Sequence, residues 1–232
     1  MELYYAGGGI ELYHGSALDT PENWTHATAL ITDPPYGIDY AMRFHGKPRQ
    51  VAGDTSAAVR DAALATWYET NRDNKPVAVF GSWKIPRPPQ TKQRLIWHKG
   101  GHAMKNLPLS WRPCDEEIYV WGKGWARSTR APASVITTSE NRTGETRRLG
   151  HPTPKPLNLL QTLMGRLEPA DGGHVIADPF AGSGATLVAA ALMGHGAVGV
   201  ELEERYCEQI ARRVEFVLAN GEDAPRSVIV RD

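Results

Sequence analysis

Four consecutive residues, Asp33-Pro34-Pro35-Tyr36, carry the most chemistry in the chain. The apolar run from Ala29 to Asp33 reads as a buried strand, and it ends directly in the two prolines. Consecutive prolines hold the backbone extended and remove two N–H donors. The carbonyls beside them are left as acceptors. A carboxylate and a neighbouring carbonyl can together accept both hydrogens of an amino group. That turns the nitrogen lone pair toward an electrophile. Tyr36 adds a flat face on which a planar base can stack. Such a nucleophile needs orientation more than a strong base, so the lack of an adjacent His or Cys is consistent. The plainer reading is a strand-ending Pro-Pro turn with a surface tyrosine.

A second segment could hold the electrophile. The predicted strand His174–Asp178 runs into Pro179-Phe180-Ala181-Gly182-Ser183-Gly184, and a predicted helix, Ala185–Met193, follows at once. A glycine-rich turn between strand and helix lets a ligand approach the backbone closely. The next predicted strand, Ala197–Glu201, ends in an acid about twenty residues past the turn, which suits a carboxylate bonding ribose hydroxyls. Strand, glycine turn, helix, strand and acid make a mononucleotide-binding half. The third glycine of the dinucleotide fingerprint is missing, which argues against a nicotinamide or flavin cofactor.

The elements that must position these residues alternate along the chain. Further strands are predicted at Ile10–Tyr13, Val77–Phe80, Arg94–His98 and Ile118–Trp121. Further helices are predicted at Asp61–Glu69, Pro156–Leu167 and Glu203–Leu218. This alternation favours an α/β domain with a mainly parallel sheet. Two segments, Gly37–Ser56 and Gly122–Gly150, show little regular pattern, and long irregular segments are often functional. The tryptophans Trp83, Trp97, Trp111, Trp121 and Trp125 cluster in mid-chain. Each is expected in the core, with wedging into DNA the alternative use.

A chain of 232 residues fits one domain. No apolar stretch reaches the length of a membrane span. Met1–Ile10 lacks a basic region followed by an apolar run, so no signal peptide is expected. Cys114 and Cys207 stand apart, which excludes a zinc site made of cysteines alone and disfavours a disulfide framework. A cytoplasmic protein without a metal is expected. Net charge is zero, yet charge is unevenly spread. Between Gly122 and Gly150 the basic residues Lys123, Arg127, Arg130, Arg142, Arg147 and Arg148 face only Glu140 and Glu145. Arg43, Lys47 and Arg49 form a second basic stretch. Arg43, Lys47, Arg49, Arg142, Arg147 and Arg148 are therefore candidate nucleic-acid contacts, with solvated loops as the alternative.

Taken together, the chain resembles the DNA amino-methyltransferases of the permuted group often called the beta class. In that group an Asp-Pro-Pro-Tyr motif precedes the Phe-x-Gly-x-Gly motif, as Asp33–Tyr36 precedes Phe180–Gly184 here. The segment His151-Pro152-Thr153-Pro154-Lys155-Pro156 resembles the group's His-Pro-Thr-Gln-Lys-Pro, with Pro154 in place of Gln. Glu116–Gly124 resembles its late strand and Lys-Gly ending. The resemblance covers nearly the whole chain. It implies a Rossmann-like, S-adenosylmethionine-dependent methyltransferase fold, with a mainly parallel seven-stranded sheet and helices on both faces. Residues 1–232 would form one catalytic domain.

The resemblance also implies roles. Asp33 and the Pro34 carbonyl would hold the target amino group, Pro35 would stiffen the turn, and Tyr36 would stack on the extruded base. Asp178, Phe180, Gly182, Ser183 and Gly184 would wall the S-adenosylmethionine pocket. Glu201 would bind the ribose, and Thr153 and Lys155 would meet the methionine carboxylate. Where the family often has Gly-Asp after its first strand, this chain has Gly15-Ser16, so Ser16 would contact the cofactor adenine, with Asp19 nearby. Residues 122–150 form a short basic candidate target-recognition loop. So short a region allows readout shared within a homodimer. The expected substrate is double-stranded DNA, and the leading Asp favours adenine N6 over cytosine N4. A restriction-modification setting fits such an enzyme. The alternatives are a catalytically inactive DNA- or cofactor-binding module, and an RNA or protein-amide methyltransferase. The motif order speaks against the second alternative.

Overall fold

The computed structural model describes residues 1–36, 41–44, 47–50, 57–100, 110–111, 113–138 and 154–221. Its strands are β1 (Glu2–Gly7), β2 (Ile10–His14), β3 (Ala29–Thr32), β4 (Ala41–Phe44), β5 (Lys47–Gln50), β6 (Val77–Gly81), β7 (Gln93–His98), β8 (Asp115–Trp121), β9 (Val135–Thr137), β10 (Val175–Asp178) and β11 (Gly196–Glu201). The described helices, numbered here in chain order, are α1 (Glu22–Thr25), α2 (Ala58–Asn71), α3 (Leu157–Met164), α4 (Ala185–Leu192) and α5 (Glu204–Asn220).

Nine strands form one sheet in the order β1-β2-β11-β10-β3-β6-β8-β7-β9. The block β2-β11-β10-β3-β6 is wholly parallel. β1 and β8 run against their neighbours, and β9 is parallel to β7. The expectation of seven strands is thus corrected to a mixed sheet of nine. The two extra strands lie at the edges. β1 shows one exposed face and little apolar alternation, and β9 is three residues long. Edge strands bury little, so their sequences carry weak periodicity.

The parallel block is apolar because both its faces are covered. One face packs Ile31, Phe80, Trp97 and Ile118 against α3, α4 and α5. The other packs Leu30, Val77, Val79, Tyr119 and Trp121 against α1 and α2. There Trp24 and Trp67 stack with ring centroids 6.2 Å apart and planes 3° from parallel. Helices on both faces are therefore as expected.

Gly37–Ser56 is corrected in part. β4 and β5 within it pair antiparallel, Met42 opposite Arg49 and Phe44 opposite Lys47. They form a two-stranded sheet of their own, separate from the main one. A ribbon outside the core needs no run of buried positions, so it leaves no apolar signature in the sequence.

The chain diverges at one place in the parallel block. From β3 it crosses through α2 to β6 on one side. From β10 it crosses through α4 to β11 on the other. The C-terminal ends of β3 and β10 therefore flank a crevice, the usual ligand position in open α/β sheets. At the opposite end of the sheet, Gly122 closes β8 with φ +82°, and an added Cβ would lie 1.9 Å from the Lys75 carbonyl oxygen. Gly122→Ala is expected to destabilise the protein by roughly 2–4 kcal/mol, since strain and a backbone clash combine. Urea unfolding of the variant beside wild type measures this, and an unchanged midpoint would contradict the close approach.

Candidate active site

The crevice is built from strand ends. β10 ends in Asp178, and its turn carries Gly182 and Gly184 with φ +55° and +74°. A Cβ on Gly184 would come within 2.7 Å of Ile210, so α5 packs directly against this turn. Arg213 of α5 is buried and donates a hydrogen bond to the Ser183 carbonyl, which pins the turn from behind. At the end of β11, Glu201 accepts from the Gly182 N–H at 2.8 Å and from the Glu203 N–H at 2.8 Å. Each of its oxygens keeps a lone pair for a hydroxyl.

The loop after β2 lies alongside. The Gly15 N–H donates to the Glu201 carbonyl at 3.0 Å, which brings Ser16 next to the acid. Ser16 Oγ accepts from the Leu18 N–H at 3.3 Å, and Asp19 accepts from the Ser16 N–H at 3.4 Å. The glycine turn, Glu201 and the Gly15-Ser16 loop therefore converge. Open backbone at Gly182, a carboxylate one strand away and the half-exposed Leu202 beyond it fit a nucleoside-bearing cofactor.

Asp178 takes a different position. Its carboxylate is buried and accepts from Thr32 Oγ1 at 2.7 Å and from the Phe180 N–H at 3.2 Å. The first of these bonds ties β3 to β10 directly beneath the crevice. Burial pushes the Asp178 carboxyl up to about 6, against bonds from Thr186, Thr32 and Phe180 that pull it down. Burial likewise pushes Glu201 up to about 7, against backbone N–H donors that lower it.

Across the crevice, Asp33 follows β3. Its Oδ1 accepts from the Tyr36 hydroxyl at 2.7 Å, and its Oδ2 accepts from the Lys155 ammonium. Lys155 also lies 3.2 Å from Glu116 Oε2, and Lys99 lies 2.5 Å from Glu116 Oε1. The ammonium of Lys155 stands 4.9 Å from the Phe80 ring centroid and 6.0 Å from those of Trp97 and Tyr36. Lys155 was expected at the cofactor carboxylate, and the structure sets its ammonium against the Asp33 carboxylate. Glu116 and Lys99 were not expected in the site at all. They reach it because β7 ends and the antiparallel β8 begins at the sheet edge where β3 ends, with Glu116 opposite Trp97.

Arg43 is in β4, and Lys47 and Arg49 are in β5, of which only the backbone is described. Thr153, Arg142, Arg147 and Arg148 lie outside the described residues. The tryptophan expectation is corrected in part. Trp97 and Trp121 are core and Trp125 is half-buried. Trp83 and Trp111 are 76% and 90% exposed, each following or preceding a strand at the site edge of the sheet. Among the described residues no cluster of ligating side chains could hold a metal. No described helix is long and apolar enough to cross a membrane.

The family model for DNA methylases of the N6/N4 type matches residues 64–212. The chain belongs to this family. It is 35% identical to the type II methyltransferase M.ScaI of Streptomyces caespitosus, with 91% of this chain and 83% of that one covered. Among solved structures, the M1.HpyAVI–S-adenosylmethionine complex shares the fold with a TM-score of 0.67 at 18% identity, covering 88% of this chain and 98% of that one. The cytosine-N4-specific PvuII DNA methyltransferase also reaches 0.67, at 13% identity over 95% of this chain and 96% of that one. The protein is thus a DNA amino-methyltransferase, and its cofactor is S-adenosylmethionine.

The raised carboxyls have a consequence for stability. Their ordinary values are 3.8 for Asp178 and 4.5 for Glu201. Between those values and about 6 and about 7, the folded protein holds protons that the unfolded chain has shed. Stability contributed by the protonated forms is therefore lost as pH rises through this window. Glu201 alone accounts for a loss on the order of 3 kcal/mol. Denaturant unfolding from pH 4.5 to 7.5 should show a shallower decline for Glu201→Gln than for wild type. Parallel declines would contradict the assignment.

Proposed function

We propose that the protein methylates the exocyclic amino group of a base swung out of double-stranded DNA, with adenine N6 the target. The observation that carries this reading is the crevice itself. Asp33 and the glycine turn face each other across the β3/β10 switch point and are tied together by the Thr32–Asp178 bond. An amino group held on one side lies beside a cofactor held on the other.

S-adenosylmethionine supplies an electrophilic sulfonium methyl group. The remaining work falls to the chain. The Gly182–Gly184 turn and Phe180 shape the pocket, and Glu201 takes the ribose hydroxyls. Asp33 and the Pro34 carbonyl accept the two amino hydrogens, which aims the nitrogen lone pair at the methyl carbon. Tyr36 stacks on the base, and its hydroxyl, bonded to Asp33 at 2.7 Å, fixes the carboxylate's rotation. The nitrogen–carbon bond would form as the sulfonium's methyl carbon–sulfur bond breaks, leaving a neutral thioether, and the amino group, cationic at that point, would pass its proton to water. The Asp33 carboxylate stabilises that developing charge.

The choice of adenine rests on the leading Asp of the tetrapeptide. Cytosine N4 is the second reading, favoured by the likeness in fold to an enzyme named as cytosine-N4-specific. DNA contact is assigned to the β4–β5 ribbon through Arg43, Lys47 and Arg49, and to the 122–150 segment through Arg142, Arg147 and Arg148. The exposed Trp83, with Lys84 next to it, adds an aromatic contact at the site edge.

Asp33→Ala should lower the rate of methyl transfer by about 10³-fold while calorimetric binding of the cofactor survives. Undiminished transfer by that variant would remove the assignment. Incubating DNA with enzyme and methyl-labelled cofactor, then digesting to nucleosides, identifies the base. Label in N6-methyladenine is expected, and label solely in N4-methylcytosine would overturn the adenine reading.

A further inference from the structure

Glu116 has no role in the reaction described so far, yet it joins two cations beside the catalytic carboxylate. Four charged groups alternate across the sheet edge in the order Lys99, Glu116, Lys155, Asp33. They come from the end of β7, the start of β8, the segment before α3 and the end of β3. We infer that Glu116 is a positioning residue, dividing the pull of Lys155 so that Asp33 can release it in favour of the target amino group. This inference rests on the reading of Asp33 as the acceptor of that amino group.

Both oxygens of Asp33 are engaged, Oδ1 by the Tyr36 hydroxyl and Oδ2 by Lys155. An arriving amino group must share or displace one of these bonds. A lone ammonium–carboxylate pair would resist displacement, because a neutral amino group offers the carboxylate no opposite charge in exchange for the ammonium's. Lys155 is only 6% exposed, so water screens the pair weakly. Nor can its ammonium be left without an anion in such a place.

Glu116 removes the difficulty. Its Oε2 lies 3.2 Å from the same ammonium, so a small shift of Lys155 toward β8 frees Asp33 Oδ2 while the cation stays paired. The rings of Phe80, Trp97 and Tyr36 lie within 6.0 Å of the ammonium and add cation–π attraction to its pairing. Lys99 holds the other oxygen of Glu116 at 2.5 Å and stands 5.3 Å from the Trp97 ring centroid. It anchors Glu116 from the side away from Asp33. The four charges sum to zero, which limits the cost of placing them together.

The test is steady-state methylation of DNA by charge-matched variants. Glu116→Gln alone leaves two cations with one carboxylate and risks misfolding. Glu116→Gln combined with Lys99→Met keeps the cluster neutral, and its melting temperature should stay near that of wild type. This double variant should lose about tenfold or more in kcat, with KM for DNA and for cofactor within about twofold of wild type. Glu116→Asp should recover most of the loss. In a Lys155→Met background the same double change should alter kcat by less than about twofold, because Glu116 acts through Lys155. A double variant with wild-type kcat overturns the inference. So does a full, independent loss in the Lys155→Met background. If wild type itself transfers no methyl group to DNA, the underlying reading of Asp33 fails and takes this inference with it.

Discussion

A nearly buried ammonium governs the chemistry of this site. Lys155 is held away from water over three aromatic rings, where the carboxylates of Asp33 and Glu116 offset the cost of burying its charge. Those partners come from β3 and β8, with β6 between them in the sheet. Lys155 therefore acts across a strand, above Phe80. Moving any of the three strands would leave a charge stranded, so the sheet edge and the ion chain support each other.

The same edge holds the crevice. Parallel strands put their C-terminal ends together, and the divergence between β3 and β10 opens a gap there. The gap is bridged from below by Thr32 and Asp178. Asp178 is buried at that bond, and Glu201, at the end of β11, accepts from the Gly182 N–H of the glycine turn. Arg213 and Ile210 on α5 hold the glycine turn from behind. The glycine turn is thus braced by a helix from beyond β11, while Asp33 is held by Lys155 from the segment before α3, which also meets Glu116 of β8.

Much of this was legible in the residues. The strands carrying Asp33, Asp178 and Glu201 lie in the apolar parallel block, where both faces are buried and the signal is strong. The glycine turn and the two prolines are punctuation with a backbone meaning. β1 and β9 were not legible, because edge strands bury too little to impose a period, and the β4–β5 ribbon pairs outside the main sheet. Glu116 and Lys99 were missed for another reason. Glu116 stands 83 residues and Lys99 66 residues from Asp33 along the chain, and only the pairing of β8 with β6 and β7 brings them near it. A charged residue within a strand otherwise buried from Glu117 to Trp121 was the available signal. Trp83 and Trp111 show the converse, apolar residues whose exposure follows from their place beyond strand ends.

The most direct test is a crystal structure of the protein with duplex DNA and an unreactive cofactor analogue. The account predicts an extruded base stacked on Tyr36, its amino nitrogen within about 3 Å of both an Asp33 oxygen and the Pro34 carbonyl. Lys155 should have moved onto Glu116. An amino nitrogen held by other groups, with Asp33 still bound to Lys155, would contradict it.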